Sequence, residues 1–290
     1  MMRTEDDTPG RAALDAEVLR RAVVSPGGLW RAVEVLASTG STNADLLARA
    51  AAGAPEGVLL AAEEQTAGRG RLGRSWVSPP RAALTFSVLV RPDAVPTARR
   101  GWLPLLAGVS VASAVRAVAG VDARLKWPND VLAGPAKLAG ILAEAAGDAV
   151  VVGIGLNVST EPGELPPPGP TPGGALPATS LRVLAAAGPA ALGNGYRERL
   201  LTGILAAFEH WYQAWRQAGG DPDRCGLRAE YTRLCATIGR QVRVELPGGQ
   251  PLSGLAAGVD SDGRLAVRVS APGASDAEVR VAAGDVVHLR

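Results

Sequence analysis

Nine residues, Gly68-Arg69-Gly70-Arg71-Leu72-Gly73-Arg74-Ser75-Trp76, hold three glycines, three arginines and a tryptophan. Glycine lets a backbone take positive φ and lie close to a ligand. Arginine presents a planar fork that matches a carboxylate or a phosphate. The tryptophan closes the run with a flat face suited to a purine. Together these residue types predict a loop that holds an anion such as a nucleotide ester. The spacing Gly68-x-Gly70-x-x-Gly73 also matches a dinucleotide fingerprint, but that motif needs a helix to open directly after the glycines. Pro79-Pro80 blocks such a helix and a strand pattern follows, so the dinucleotide reading fails.

Four further stretches could face such a loop. In Lys126-Trp127-Pro128-Asn129-Asp130 the proline fixes its own φ and biases Trp127 to extended geometry. Asn129 and Asp130 then stand at a strand end, either as a hairpin turn or as part of a polar site. Lys137-Leu138-Ala139-Gly140-Ile141-Leu142 reads as a strand that opens on a lysine, and Gly140 inside it signals a close approach to the backbone. Gly153-Ile154-Gly155-Leu156-Asn157 is likewise a strand thinned by glycines and suits the wall of a pocket. Ser41-Thr42-Asn43 precedes a helix; Thr42 with Asp45 resembles a capping box, which also leaves hydroxyl and amide groups free to face a polar ligand.

Other chemistry is missing. No GxxxxGK[ST] loop, GxSxG elbow or HExxH helix occurs. The two histidines, His210 and His288, fall in a core-type helix and in the last strand. A reaction without an enzyme nucleophile or histidine base is run by positioning and charge stabilisation.

The elements that must position these groups can be read in order. Polar residues 1–30 carry one weak helical stretch. Strand patterns follow at 31–36, 57–62, 83–90 and 124–127, then three closely spaced strands to residue 158 that form a meander. Residues 44–52 and 103–118 read as helices, the second apolar on all sides and interrupted by Pro104 and Arg116, as suits a buried helix better than a membrane span. Residues 160–178 are crowded with Pro and Gly and predict a long surface loop with no assignable role. In 193–217, Leu201, Ile204, Leu205, Phe208, Trp211, Tyr212 and Trp215 recur at helical spacing and predict a core-facing stripe. After residue 236 short strands alternate with Gly248-Gly249, Asp262-Gly263 and Pro272-Gly273, the pattern of a small SH3-like barrel.

The chain has 290 residues, 47% hydrophobic and 20% charged, with a formal net charge of +2. That suits a folded protein of one large and one small domain, and the charge is too small to make nucleic acid a bulk electrostatic partner. Cys225 and Cys235 form no CxxC pair or metal spacing and read as buried thiols. The N-terminus lacks a signal-peptide core, so a cytoplasmic protein is expected.

Taken together, Ser41-Thr42-Asn43, Glu64-Gln65-Thr66-Ala67 leading into GRGRLGRSW, KWPND, KLAGILAE, GIGLNV and the terminal stretch from Ala283 resemble the biotin–protein ligases in type, order and spacing over roughly residues 31–290. The resemblance implies an α+β fold, with a mixed β-sheet catalytic domain like that of class II synthetases over 31–235, an SH3-like β-barrel over 236–290 and a short N-terminal extension over 1–30. It implies that biotin and ATP give biotinyl-5′-AMP and pyrophosphate, and that a lysine of a biotin carboxyl carrier protein domain then displaces AMP. Lys137, Arg69 and Arg71 would be the catalytic groups. Ser41, Thr42, Asn43, Gln65, Gly68, Gly70, Gly140 and Gly155, with those three, would bind biotin. Arg71, Arg74, Trp76, Asn129 and Asn157 would serve the nucleotide, and Asp130 would help position Mg2+. A monomer or homodimer is expected; the short lead before the first strand implies no DNA partner, and the interrupted apolar run implies no membrane partner. Two alternatives remain, a lipoate–protein ligase and a non-catalytic adenylate-binding regulator. The GRGRLGR loop stands against the first; Lys137 and the loop arginines stand against the second.

Overall fold

The computed structural model describes residues 11–167, 176–185, 193–246, 249–269 and 277–289. The turns expected at Gly248-Gly249 and Pro272-Gly273 lie wholly or partly outside these residues, as does the middle of the Pro-rich segment.

Seven strands form the main sheet: β1 (Ala32–Leu36), β2 (Val58–Ala62), β3 (Ala83–Val90), β4 (Ala123–Lys126), β5 (Asp130–Ala133), β6 (Ala136–Ala146) and β7 (Ala149–Asn157). Their order is β1-β2-β3-β7-β6-β5-β4. β1 and β2 are parallel, joined through helix α2 (Thr42–Ala51), and every other pair is antiparallel. The sheet is therefore mixed, as expected for the α+β class.

Strand alternation decides what each face of this sheet carries. In β7, Val150, Val152, Ile154 and Leu156 join the large core, while Val151 faces the smaller cluster under α2. In β3, Phe86, Val88 and Val90 enter the large core and Leu89 the smaller one. The large core is roofed by α1 (Ala16–Val23), α3 (Trp102–Ala119), α5 (Tyr196–Gln217) and α6 (Leu227–Leu234), and the short α4 (Leu181–Leu184) adds Leu181 to it. On the opposite face α2 covers only part of the sheet, with Leu46 and Ala50 against Leu60, Leu89 and Val151. Gly140 of β6 and Gly155 of β7 lie on the part that α2 leaves uncovered, while Gly153 lies under Asn43 of α2.

The apolar segment Thr97–Ala119 is long and apolar enough to cross a membrane, yet twelve residues of α3, from Trp102 to Val115, are buried between the sheet and α5. It is a core helix, and the left-handed Gly120 (φ 65°) ends it. In α5 the stripe expected from the sequence is buried, Trp211 only in part. Helix α6 has no counterpart among the elements expected from the sequence. It is eight residues long, opens after Gly226 without a side-chain cap, and buries Leu227, Tyr231 and Leu234.

The chain runs along the edge of β4, where the Ala236 amide donates to the Leu125 carbonyl at 2.7 Å. It then enters a five-stranded antiparallel sheet, β8 (Gln241–Glu245), β9 (Leu252–Val259), β10 (Leu265–Val269), β11 (Ala277–Val281) and β12 (Asp285–His288), ordered β11-β10-β9-β8-β12. Two buried indoles seat this module on the first: Trp102 Nε1 donates to the Asp260 carbonyl at 3.1 Å and Trp127 Nε1 to that of Gly263 at 3.0 Å.

Candidate functional site

One cleft of about 530 Å3 lies on the uncovered face of the main sheet, a volume suited to a small-molecule site. Its floor follows from register. Lys126 pairs with Asp130, Asp130 with Gly140, and Gly140 with Gly155, so these four residues form a row across β4, β5, β6 and β7 on one face. The absence of side chains at Gly140 and Gly155 makes the middle of the row flat. The indole of Trp76 lies on that floor; a Cβ at Gly155 would overlap it, and one at Gly140 would stand 3.3 Å from its Cζ3. Trp76 Nε1 is buried there without a hydrogen-bond partner.

At one end the row meets an uncharged polar cluster. The Gln65 side-chain carbonyl accepts from the Thr42 amide at 2.8 Å and its hydroxyl at 3.1 Å, and the Thr42 hydroxyl lies 2.7 Å from that of Ser87. Ser41 caps α2 and lines the cleft beside them. Asn43 is saturated by the protein: Nδ2 donates to the Leu142 carbonyl (3.1 Å) and to Glu144 (2.8 Å), and Oδ1 accepts from Ser87 at 2.6 Å. A Cβ at Gly153 would overlap this amide, so Asn43 holds its place only because residue 153 is glycine. Asn43, expected as a biotin contact, lines the cleft and also supports Ser87, whose hydroxyl in turn meets that of Thr42.

The other end carries charge. Lys137 Nζ lies 2.6 Å from Asp130. The backbone of Lys137 is held on both sides, its amide by the Pro177 carbonyl (2.7 Å) and its carbonyl by the Thr179 amide (2.8 Å). The Pro-rich segment, to which the sequence assigns no role, therefore frames Lys137, and Pro166, Pro167, Leu176 and Ala178 line the cleft. Asn129 accepts from Arg71 at 2.9 Å and donates to the Ile141 carbonyl at 3.0 Å, and Asn157 donates to the Thr179 carbonyl at 2.9 Å. Both amides hold the walls.

The loop expected from the sequence is a hydrogen-bonded hairpin. Gly68 accepts from the Trp76 amide (2.9 Å) and the Gly70 amide donates to Arg74 (2.7 Å), with Leu72 (φ 55°) and Gly73 (φ 74°) left-handed at its tip. A Cβ at Gly68 would overlap the Trp76 carbonyl. Arg69 pairs with Glu144 at 3.3 Å, Arg71 bonds Asn129, and Arg74 pairs with Asp285 of β12. Burial lowers the pKa of Arg71, and burial likewise lowers that of Lys126.

Every residue expected at the site lies at the cleft except Gly68, which closes the loop base. The sequence reading missed Ser87, Glu144, Lys126, Arg243 and Asp285, while Gly153 falls in the strand it expected to wall a pocket. Lys126 and Glu144 stand inside the motifs KWPND and KLAGILAE, and Asp285 in the terminal stretch, so the signal was present for three of them. Ser87 and Arg243 are recognisable only from the sheet register and the docking of the second module.

Comparisons with known proteins show the family and its fold. Residues 35–160 match the model of the Biotin/lipoate A/B protein ligase family, and residues 237–289 that of the Biotin protein ligase C terminal domain. The chain is 46% identical over 284 residues to the biotin--[acetyl-CoA-carboxylase] ligase of Mycobacterium tuberculosis, covering 97% of each. The chain belongs to the biotin protein ligase family. It is 32% identical to the bifunctional ligase/repressor of Bacillus subtilis over 80% of this chain and 67% of that protein. Among solved structures, the Aquifex aeolicus biotin protein ligase in complex with biotin and ATP superposes with a TM-score of 0.67 at 25% identity, over 88% of this chain and 97% of that one. The two-module fold is thus that of the biotin protein ligases, and the five-stranded sheet is their SH3-like C-terminal domain.

Proposed function

We propose that this chain is a biotin–protein ligase that forms biotinyl-5′-AMP from biotin and ATP and transfers the biotinyl group to a lysine of a biotin carboxyl carrier domain. The observation that carries this is the order of groups along one sheet face: an uncharged hydrogen-bonding cluster (Ser41, Thr42, Gln65), a floor without side chains (Gly140, Gly155), then Lys137 with the loop arginines. That order suits an uncharged bicyclic urea with an apolar tail ending in a carboxylate.

In the first step a carboxylate oxygen attacks the α-phosphorus of ATP and pyrophosphate departs. Lys137, Arg69 and Arg71 neutralise charge on the carboxylate and phosphate as it shifts, and such preorganised charge stabilisation is where a site of this kind lowers the barrier most. In the second step the carrier lysine attacks the acyl carbon and AMP leaves. Both nucleophiles belong to substrates, consistent with a cleft that, among the described residues, is lined by no cysteine or histidine. Trp76 and the hairpin cover the floor and shield the anhydride from water. Arg74 and Asn157 serve the nucleotide end.

Among the described residues no three His, Cys, Asp or Glu side chains are grouped to hold a metal. Asp130 and Asp285 line the cleft, which suits a Mg2+ carried mainly by nucleotide phosphates with one or two protein carboxylates. Bound so, it would neutralise phosphate charge, with Asp130 released from Lys137 as its ligand. We take residues 31–235 as the catalytic unit and 236–290 as a module that completes the cleft, in a cytoplasmic monomer or homodimer.

The test is incubation with biotin, ATP, Mg2+ and a carrier domain. Mass spectrometry is expected to show one biotinyl group on the carrier. An unmodified carrier overturns the reading, and modification with lipoate in place of biotin moves the chain to the lipoate ligases.

A further inference from the structure

Of the two lysines that line the cleft, Lys137 is paired and Lys126 is not. Lys126 opposes Asp130 in the β4–β5 register and so lies on the cleft face, partly buried, at the edge-strand end of the row. Two carboxylates stand near enough to act on its charge, Asp130 and Asp285, and both are occupied, by Lys137 at 2.6 Å and by Arg74. Among the described residues the Lys126 ammonium makes neither a hydrogen bond nor an ion pair. His288 and Arg240, on the second module's side, do not offset it; burial and Lys126 together lower the pKa of His288. An ammonium drawn out of water without a counter-ion is unfavourable unless an anion arrives to meet it.

The place of Lys126 in the row says which anion. Reading from the uncharged cluster, the row passes the glycine floor, reaches the Lys137–Asp130 pair, and ends at Lys126. On the ligase reading, on which this inference rests, the carboxylate meets the α-phosphate at Lys137 and Arg71. The next group outward along the row is what leaves the α-phosphorus.

We propose that Lys126 binds the pyrophosphate leaving group of the adenylation step. As the carboxylate oxygen bonds to the α-phosphorus, the bond from that phosphorus to the α,β-bridging oxygen breaks. Its electron pair stays on pyrophosphate, and the Lys126 ammonium takes up the charge that develops there, keeping its own proton. The transfer step, in which AMP and not pyrophosphate leaves, does not use Lys126.

The test separates the two half-reactions in Lys126→Met, which replaces an unpaired charge by an apolar chain of similar length and is expected to fold. Pyrophosphate release from biotin and ATP should fall by on the order of 100-fold. Transfer from presynthesised biotinyl-5′-AMP to the carrier should stay within about 2-fold of wild type, since it loses no contact made in its transition state. Inorganic pyrophosphate with Mg2+, titrated calorimetrically, should bind wild type and Lys126→Arg but not Lys126→Met. Equal losses in both half-reactions, or unchanged pyrophosphate binding, overturn the proposal. Wild type measured in the same assay keeps the two readings apart: no biotin-dependent pyrophosphate release from wild type sinks the ligase reading, while the calorimetric comparison still decides Lys126.

Discussion

Gly153 and Gly155 are two residues apart on one strand and face the same way, yet alanine at each should do different damage. At position 153 the new methyl overlaps the Asn43 amide, which cannot step aside because Leu142, Glu144 and Ser87 hold it. Forcing a methyl into such a site destabilises by about 1–3 kcal/mol. Each neutral hydrogen bond broken as Asn43 shifts adds about 1 kcal/mol. Gly153→Ala should therefore lose roughly 3 kcal/mol, a fall in Tm of about 6–12 °C for a chain of this size. At position 155 the methyl overlaps Trp76, and that ring belongs to a hairpin held by its own hydrogen bonds and a few side-chain contacts, which can lift. Gly155→Ala should move stability by less than about 1 kcal/mol, the usual scale for a substitution that makes no cavity and buries no polar group. It raises the floor under the ligand instead, and a misfit of about 1–3 kcal/mol weakens biotin binding by roughly 5- to 150-fold. Urea denaturation and biotin calorimetry on both variants provide the check. Equal loss of stability in the two, or normal biotin affinity in Gly155→Ala with a destabilised Gly153→Ala, would show that Trp76 does not share the ligand floor.

Lys137→Ala should lower adenylation by on the order of 100-fold, since a charge aimed at the reacting phosphate is gone; the fold should survive, and normal single-turnover adenylation would remove Lys137 from the mechanism. Glu63 and Arg197 form a buried pair at 2.6 Å that also takes the Leu14 amide and the Ala12 carbonyl, tying the N-terminal segment to the strand that leads into the loop. Glu63→Gln leaves a buried guanidinium and should destabilise by about 3–5 kcal/mol, with part regained in a double variant carrying Arg197→Met; an unchanged denaturation midpoint refutes the pair's role. His288, bonded to Thr237 at 3.0 Å, has its pKa lowered to about 4, with burial as the main cause. The unfolded chain then binds a proton that the folded one refuses between pH 6.5 and about 4, so this contribution is complete above pH 6.5 and is lost as pH falls through that window. The wild-type Tm should drop more steeply than that of His288→Gln over the window; parallel curves would rule His288 out.

Local pattern carried the strands and the long helices. β3 announced itself by apolar residues broken only at Thr85 and Ser87, β7 by a Val, Ile and Leu run thinned by glycine, α3 by its all-round apolarity and α5 by its aromatic stripe. The hairpin loop, KWPND and KLAGIL stood out because rare residue types recur within a few positions. What stayed hidden depends on contacts distant in sequence. That Asn43 points its amide into the protein is decided by Glu144 and Leu142, about a hundred residues on. That Asp285 and Arg243 complete the cleft is decided by how Trp102 and Trp127 seat the second module. The short α6 carries three apolar contacts and no capping residue, too little for periodicity to register.

The three loop arginines are anchored differently, and the difference orders their use. Arg69 and Arg74 are each paired with a carboxylate, on β6 and β12, and their side chains are 52% and 56% exposed. Exposed pairs of this kind are worth about 0–1 kcal/mol, so either arginine can leave its partner for a bound anion at little expense. Arg71 is more deeply buried, and its direct partner is the neutral Asn129. Its charge is therefore oriented without being cancelled. A carboxylate or phosphate entering the cleft meets Arg71 already directed by Asn129, whereas Arg69 and Arg74 must first exchange Glu144 and Asp285 for the ligand. Binding would then release both pairs, detach the hairpin from β12 and β6, and reattach it through the ligand. The same two pairs close the hairpin over the glycine floor in the protein itself, so the loop is held by weak contacts that the adenylate of the proposed reaction would readily displace.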